Sequence, residues 1–246
     1  MNSHTRRTIK NAMSEERVFL MEHESKELIS EFGIPTTTFD IAQTTDEAIS
    51  IAEKVRYPVV LKVISPGILH KTDVGGVKLN LKNAQEVENA FKDIMKSAKS
   101  KVPDAKIIGI MVYHFSPKGV AEVIIGMTID PQFGPTIMFG LGGVFVELLK
   151  DVSFRLLPIT KREAQDMTKE IRAYPILRGY RGIPPADFDA VVNILLRVSD
   201  LVNSHGEIAQ IDLNPTIVYE KGAIAIDSRI ILKSKQGGIN HQYKNI

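Results

Sequence analysis

A lysine, a histidine and two adjacent glycines lie close together early in the 246-residue chain. Lys62 lies inside the apolar run 59–64, and His70 follows in a loop that ends at Gly75 and Gly76. An imidazole with an ordinary pKa of about 6.5 is a neutral nucleophile near pH 7. Adjacent glycines allow successive backbone N–H groups to approach one anion. These residues are typical of a loop that binds a polyphosphate, and a phosphohistidine intermediate is one possible chemistry.

Two predicted strands position this loop. The β-branched run 59–64 is bounded by Pro58 and by the turn residues 65–67, and the alternation of apolar residues resumes at 77–81. Short apolar runs between turn residues are typical of strands. The sequence therefore predicts a strand, a loop that carries His70, and a second strand.

Each of these residues also has a simpler interpretation. Lys62 could be a charge on an edge strand that extends outward to water. His70 could be an ordinary loop histidine. Gly75 and Gly76 could form only a hairpin turn.

A second group of polar residues lies in the C-terminal half. Asp212 and Asn214 are two apart on a predicted strand and therefore share a face, and we expect Asp227 on the neighbouring strand. A few oxygen ligands, completed by phosphate and water, suit Mg²⁺. Glu122 lies inside an apolar strand, where we expect it to be buried with a partner. The alternative is that Asn214 and Asp227 only mark a turn and a strand end.

The rest of the chain predicts a mixed α/β protein with two lobes and no internal repeat. Thr44 with Glu47 and Asn83 with Glu86 have capping-box spacing before amphipathic helices. Further helices are predicted at 14–32, 160–173 and 186–204, and further strands at 36–41, 107–115, 121–127, 136–139, 209–215 and 223–226.

Composition excludes several classes of protein. The 31 basic and 29 acidic side chains give a net charge of +2, which does not favour nucleic acid as a partner. The absence of cysteine excludes disulfides and thiolate chemistry. No apolar run reaches the roughly 18 to 20 residues that span a bilayer, and the first residues lack the apolar centre that is typical of a secretory signal. We therefore expect a cytoplasmic protein that does not bind membranes.

The predicted organisation has four parts. Residues 1–13 carry three basic residues and no acid, and we expect a flexible N-terminal extension. The first lobe is 14–106 and contains the His70 loop. The second lobe is 107–234 and contains the strands that carry Asp212, Asn214 and Asp227. Residues 235–246 are expected to form a flexible C-terminal tail.

Four motifs carry a resemblance to a known family. They are ILHKTDVGGV, MTIDPQFGPTIMFGLGGVFVELLKDVSFR, LRGYRG and IDLNP. Together they resemble the β subunits of ADP-forming acetyl-CoA synthetases, within the ATP-grasp fold. The resemblance extends over about Ser14 to Leu232 and implies two α/β lobes that clamp a nucleotide.

The resemblance implies a reaction and a partner. Members of this family convert acyl-CoA, ADP and phosphate into the free acid, CoA and ATP. A separate α subunit binds CoA and the acid and carries a first phosphohistidine, and the assembly is expected to be an α₂β₂ heterotetramer. His70 would receive the phosphoryl group as a second phosphohistidine. The corresponding loop of succinyl-CoA synthetase, a relative, has no histidine.

The resemblance also implies roles for the other residues. Asn214 and Asp227 would hold Mg²⁺, and Asp212 would hydrogen-bond the incoming phosphohistidine. The remaining residues would bind the ADP or ATP substrate: Lys62, Gly75, Gly76, Val77, Val112, His114 and Glu122.

One departure from the family pattern leaves the choice between ADP and GDP open. Related chains often read Val-Gln-Glu or Val-Glu in the segment that contacts adenine and ribose, whereas this chain reads Val112-Tyr113-His114. Two other functions remain alternatives. One is a nucleotide-sensing ATP-grasp module that regulates a partner such as a protein acyltransferase, and the other is an ATP-dependent carboxylate-amine ligase.

Overall fold

A computed structural model describes residues 3–143 and 151–234. The predicted tail at 235–246 lies outside the described residues, as do residues 144–150 of the longest motif. Contacts along the chain separate two compact units. The small unit is Thr37–Pro117. The large unit combines the described chain up to Thr36 with the described chain from Lys118 onward.

The small unit is a four-stranded antiparallel sheet with two helices. Its strand order is β1-β4-β2-β3, so β2 is an interior strand. The elements are β1 Phe39–Ala42, α3 Thr45–Val55, β2 Val59–Ile64, β3 Val77–Leu81, α4 Ala84–Lys101 and β4 Gly109–His114. The strands predicted on both sides of the His70 loop are confirmed at their predicted bounds.

Both helices of the small unit begin at the predicted caps. The side chain of Thr44 accepts a hydrogen bond from the Glu47 backbone N–H, and Asn83 does the same for Glu86. The apolar faces of α3 and α4 pack against alternate residues of the sheet, including Leu61, Val63 and Val112. Because side chains alternate along a strand, Lys62 faces away from these helices.

The large unit contains a sheet of six antiparallel strands. The order is β10-β8-β5-β6-β7, and β9 pairs with β8. Its strands are β5 Ala121–Asp130, β6 Gly134–Leu141, β7 Val152–Leu156, β8 Ile208–Val218, β9 Ala223–Ala225 and β10 Arg229–Leu232. Its described helices are α1 Ser3–Ser14, α2 Glu22–Glu31, α5 Lys161–Glu170, α6 Tyr174–Leu177 and α7 Phe188–Ser204.

The core of the large unit lies on one face of its sheet. Ile125 of β5, Phe139 of β6 and Leu213 of β8 are fully buried in a cluster with α7 residues such as Leu195 and Val198. Residues in alternate positions, such as Gly126, Met138 and Asp212, therefore face the other side of the sheet.

The predicted flexible extension at 1–13 is wrong over its described part. Residues 3–14 form α1, and Thr5, Thr8, Ile9 and Ala12 are buried at helical spacing. Two of these four are threonines, so the apolar period is weak in the sequence although the face is buried. The helix predicted from Ser14 also begins later, at Glu22. Ser14 instead ends α1, where its hydroxyl donates to the Asn11 carbonyl.

The two units do not coincide with the predicted lobes at 14–106 and 107–234. Strand β4 pairs with both β1 and β2, so it belongs to the small unit. Leu20 donates its backbone N–H to Ile230 at 2.9 Å, so the segment before α2 attaches to β10 of the large unit. Pairing between distant strands sets these boundaries, and it is not visible in local sequence.

No helix in the described part of the chain has the length and apolarity to cross a bilayer.

Candidate functional site

Lys62 is a buried cation on an interior strand. It lies between Met111 of β4 and Val77 of β3, and it is 7% exposed. Its Nζ lies 5.6 Å from the ring centroid of Tyr113, an attractive distance for a cation and an aromatic face. The edge-strand interpretation is therefore wrong. A buried ammonium on the sheet face away from the helices is suited to an anionic ligand.

His70 is exposed on a loop that is held at both ends. Ile68 is buried just before it. After it, the Ser97 hydroxyl and the Lys101 ammonium of α4 donate to the carbonyls of Val74 and Asp73, each at 2.6 Å. The loop therefore presents the imidazole to solvent from anchored ends.

The two glycines do not present their amides to a ligand. The Gly75 N–H donates to the Thr72 carbonyl at 2.9 Å, and the Gly76 N–H donates to the Lys71 carbonyl at 2.7 Å. The prediction that these N–H groups point at an anion is therefore wrong for this conformation. A Cβ at Gly76 would lie 2.5 Å from Cγ1 of Val63, so glycine is required there for close packing.

Residues 112–114, which we expect to contact adenine and ribose, lie on β4. The side chain of Val112 is fully buried against the helices, and its backbone lies on an interior strand between β1 and β2. His114 is exposed, and its Nδ1 lies 2.8 Å from the Arg56 carbonyl. Because a carbonyl only accepts, Nδ1 carries the proton and Nε2 is the acceptor nitrogen.

Asp212 is a half-buried residue on the open face of the large sheet, and its Oδ1 is buried. Its direct neighbours are Gly126 on β5 and Arg229 on β10. Its Oδ1 has no hydrogen-bond partner among the described residues. Burial and the nearby Asp227 carboxylate raise the pKa of Asp212 to about 6, against the lowering effect of Arg229. Such an oxygen is available to a proton, a metal or a ligand N–H.

Asn214 and Asp227 lie near Asp212, although one prediction about them is wrong. Asn214 is exposed, two residues beyond Asp212 on β8. Asp227 lies between β9 and β10 and is not part of a strand, because the chain leaves β9 after Ala225 and pairs again at Arg229. The described residues contain no group of three or more His, Cys, Asp or Glu that could hold a metal alone. The oxygen donors present fit a Mg²⁺ that is shared with phosphate and water.

Glu122 is exposed, so the prediction of a buried glutamate is wrong. It is the second residue of β5, and the buried part of this strand begins at the next residue, Val123. Its carbonyl accepts a hydrogen bond from the Gly142 N–H at 2.7 Å, and a Cβ at Gly142 would lie 3.1 Å from the same oxygen. Gly142, which directly follows β6, therefore lies against the backbone of Glu122.

Sequence reasoning missed two residues of these sites. Tyr113 covers Lys62, and Arg229 lies opposite Asp212. A signal existed for Arg229, since it is two residues after Asp227 in a β-branched segment. The structure brings Asp212 and Asp227 into electrostatic contact, and Lys62 and Val77 into register on adjacent strands.

Comparison with known proteins identifies the fold. The model of the ATP-grasp domain family matches residues 11–232, which confirms the predicted fold class. A solved structure of acetyl-coenzyme A synthetase 1 from Ca. Korarchaeum cryptofilum has a TM-score of 0.83 and 44% identity, covering 93% of this chain and 100% of that one. That protein was solved with coenzyme A and Mg-AMPPCP, with its phosphohistidine segment pointing towards the nucleotide binding site.

Two relatives define the subgroup. Subunit β of ADP-forming acetate–CoA ligase I from Pyrococcus furiosus is 49% identical over 227 residues, which are 92% of this chain and 97% of the relative. ADP-forming acetate–CoA ligase I from Archaeoglobus fulgidus is 51% identical over 205 residues, which are 83% of this chain but 30% of that longer protein. The chain therefore belongs to the ATP-grasp family and, within it, to the β subunits of the ADP-forming acetate–CoA ligases.

Proposed function

We propose that the chain is the nucleotide-binding β subunit of an ADP-forming acyl-CoA synthetase. The overall reaction converts acyl-CoA, ADP and phosphate into the free acid, CoA and ATP. An α subunit supplies the sites for CoA and the acid, and the two subunits work as an α₂β₂ assembly. The name of the P. furiosus relative, a subunit β, supports the need for such a partner.

The phosphoryl group moves through two histidines in this proposal. Phosphate displaces CoA from the acyl group, and the α-subunit histidine takes the phosphoryl group from the acyl phosphate and releases the acid. His70 then attacks that phosphorus, which forms a new P–N bond as the α-subunit P–N bond breaks. ADP finally attacks phospho-His70, which gives ATP and restores the neutral imidazole.

Residues of the small unit neutralise and position the nucleotide in this scheme. Lys62 places a buried positive charge against the phosphates. Val112 would support the adenine site from within β4, and His114 offers Nε2 as an acceptor for a ribose hydroxyl. Gly75, Gly76 and Val77 act through the close packing of the loop on β2, since the glycine amides are already hydrogen-bonded.

Residues of the large unit supply oxygen ligands. Asn214 and Asp227 would hold Mg²⁺, which places positive charge against the β- and γ-phosphates when it is bound. Asp212 accepts the imidazole N–H of the incoming α-subunit phosphohistidine. This hydrogen bond fixes the tautomer of that imidazole and stabilises its imidazolium form. Its unpartnered Oδ1 is the atom for that bond. Exposed Glu122 contacts the nucleotide.

The observation that carries this proposal is the exposed His70 on a loop anchored at both ends. A nucleophile that accepts a phosphoryl group from another subunit must be accessible, and a nucleophile that delivers it must be held in position. A nucleotide sensor requires neither property.

Peptide mass spectrometry tests the relay directly. The chain is mixed with its α subunit, Mg²⁺, acetyl-CoA and phosphate, and ADP is left out so that the phosphoryl group cannot leave. We expect an acid-labile phosphate on the peptide that contains His70. Addition of ADP should remove it and form an equivalent amount of ATP.

Two variants complete the test. The variant His70→Asn should lose the label and ATP formation, while His4→Asn, which changes a half-buried histidine of α1, should keep both. Phosphate found only on the α subunit, with normal ATP formation by His70→Asn, would overturn the relay.

A further inference from the structure

Five residues form one straight row across the sheet of the large unit. Phe154 of β7 lies opposite Met138 of β6, and Met138 lies opposite Gly126 of β5. Gly126 lies opposite Asp212 of β8, which lies opposite Arg229 of β10. Direct cross-strand partners project to the same face, so the row connects the edge strand β7 with Asp212.

The helices of the large unit pack on the opposite face. Ser153, next to Phe154 on β7, is buried and donates its hydroxyl to the Met167 carbonyl of α5 at 2.9 Å. Ile125 and Phe139 lie in the helical core. The side chains of the row therefore lie on the face that carries Asp212.

The β7 end of this face is apolar and exposed. Phe154 and Leu156 are each 51% exposed at alternate positions of β7, and Phe133, in the turn between β5 and β6, is 67% exposed. Three such side chains present on the order of 300 Å² of apolar surface. A stable interface buries about 800 Å² on each partner, so this patch is too small for a dimer of two copies. Its size suits a short segment.

The row of side chains links this patch to Asp212. A Cβ at Gly126 would lie 3.3 Å from Cε of Met138, so the methionine side chain leans over the glycine in the direction of β8. Three strand spacings separate Phe154 from Asp212, a distance of about 14 Å. A peptide of a few residues bound at Phe154 and Leu156 reaches Asp212.

We propose that Phe154 and Leu156 dock the segment of the α subunit that carries its phosphohistidine. This inference rests on the function proposed above and identifies the surface that the α-subunit segment uses. Apolar residues of the segment pack on Phe154 and Leu156, and its imidazole reaches the carboxylate of Asp212. The row is continuous with Asp212, the residue proposed to accept the imidazole, and this continuity selects the α-subunit segment over other partners.

The test measures single-turnover transfer in the assembled complex. The α subunit is phosphorylated with acetyl-CoA and phosphate before this chain is added, because in the complex the group would already pass to His70. ATP formation is followed once this chain, ADP and Mg²⁺ are mixed in together. We expect F154S/L156S to lower the rate constant by about tenfold or more, because two apolar anchors are lost. Phe154→Ala alone should lower the rate constant by a smaller factor. This variant changes a single residue of β7 and therefore disturbs the strand less.

Three properties should remain unchanged in F154S/L156S: the assembly of the complex, ADP binding and the phosphorylation of His70 by ATP in the isolated chain. The matched control is Leu79→Ser, which removes a leucine that is 59% exposed on β3 of the small unit. It should transfer at the wild-type rate.

The outcomes separate the two proposals. If the wild-type complex forms no ATP from the phosphorylated α subunit, the proposed function fails. If the wild type and F154S/L156S transfer equally fast, or Leu79→Ser is equally slow, the docking surface is wrong while the function stands. Failure of F154S/L156S to assemble with α would assign the patch to a static interface, and a wild-type homodimer that this variant dissociates would assign it to a second copy. Either result overturns the docking proposal.

Discussion

Asp212 and Arg229 lie directly opposite each other on β8 and β10. Burial and Asp227 raise the pKa of Asp212, and Arg229 opposes both effects. The pairing explains how a carboxylate with a buried, unpartnered oxygen remains available as an anion near neutral pH. It also makes the site costly for the stability of the free chain, since an acceptor oxygen is left without a donor.

The first prediction is that Asp212→Asn stabilises the free chain in a pH-dependent way. The pKa of Asp212 is raised from 3.8 to about 6 by folding, so the folded state loses stability as pH rises from about 4 to 6. The loss amounts to about 3 kcal/mol above pH 7, by the conversion of 1.36 kcal/mol for each pKa unit. Asparagine does not ionise, so the advantage of the variant should be larger at pH 7.5 than at pH 4.5.

Denaturant unfolding of the wild type and Asp212→Asn, without nucleotide or metal, measures this difference. Activity should be lost in the same variant, as expected where a functional site lowers stability. A stability difference that is equal at the two pH values would show that Asp212 does not titrate in this range.

The second prediction concerns Arg229. Arg229→Gln removes the positive charge that lowers the pKa of Asp212, so that pKa should rise above about 6. If phosphoryl transfer needs the ionised carboxylate of Asp212, the transfer rate decreases as the pH is lowered. This decrease should begin at a higher pH in Arg229→Gln than in the wild type. Arg229→Lys keeps a charge and should restore most of the wild-type profile. A profile of rate against pH that is the same in all three proteins would exclude an electrostatic role for Arg229.

The third prediction tests the loop glycine. Gly76→Ala places a Cβ 2.5 Å from Cγ1 of Val63 and 2.9 Å from the Lys71 carbonyl, inside a closely packed strand and loop. Overpacking of this kind costs about 1–3 kcal/mol. The matched control is Gly206→Ala, where a Cβ meets nothing within 4 Å and no positive φ is required. Thermal unfolding should show a large decrease in Tm for the first variant and almost none for the second.

The fold could be predicted from sequence where local signals are strong. The caps at Thr44 and Asn83, and the strands on both sides of His70, lie where the pattern places them. Helix α1 was missed because its buried face uses Thr5 and Thr8, whose hydroxyls hide the apolar period. The boundaries of the two units depend on pairing between strands that are distant in the chain. The spacing of residues in the sequence does not show which strands pair.

The site was predicted less completely, for a similar reason. Residue types predicted the candidates Lys62, His70 and Asp212, but burial and hydrogen bonding depend on neighbours from other strands. Glu122 was expected to be buried because apolar residues flank it, yet it lies at the exposed start of β5. The glycine amides were expected to bind an anion, yet carbonyls of the same loop accept both.

The final prediction separates the two contributions of Lys62. In Lys62→Met the stem is replaced by an apolar side chain of similar length, and the buried charge is lost. We expect ADP affinity to fall by about tenfold or more, because a charge-assisted contact with phosphate is worth roughly 1.5–3 kcal/mol. Binding of adenosine should be unchanged, because it has no phosphate. Calorimetric titration with each ligand measures the difference.

Stability provides the control for this variant. Lys62 is 7% exposed over the ring of Tyr113, and replacement of a buried charge by a packed apolar group is often neutral or stabilising. Tm without ligand should therefore be equal to or higher than that of the wild type. A lower Tm together with weaker binding of both ADP and adenosine would mean that Lys62 supports the sheet, and the assignment of Lys62 to the phosphates would then be wrong.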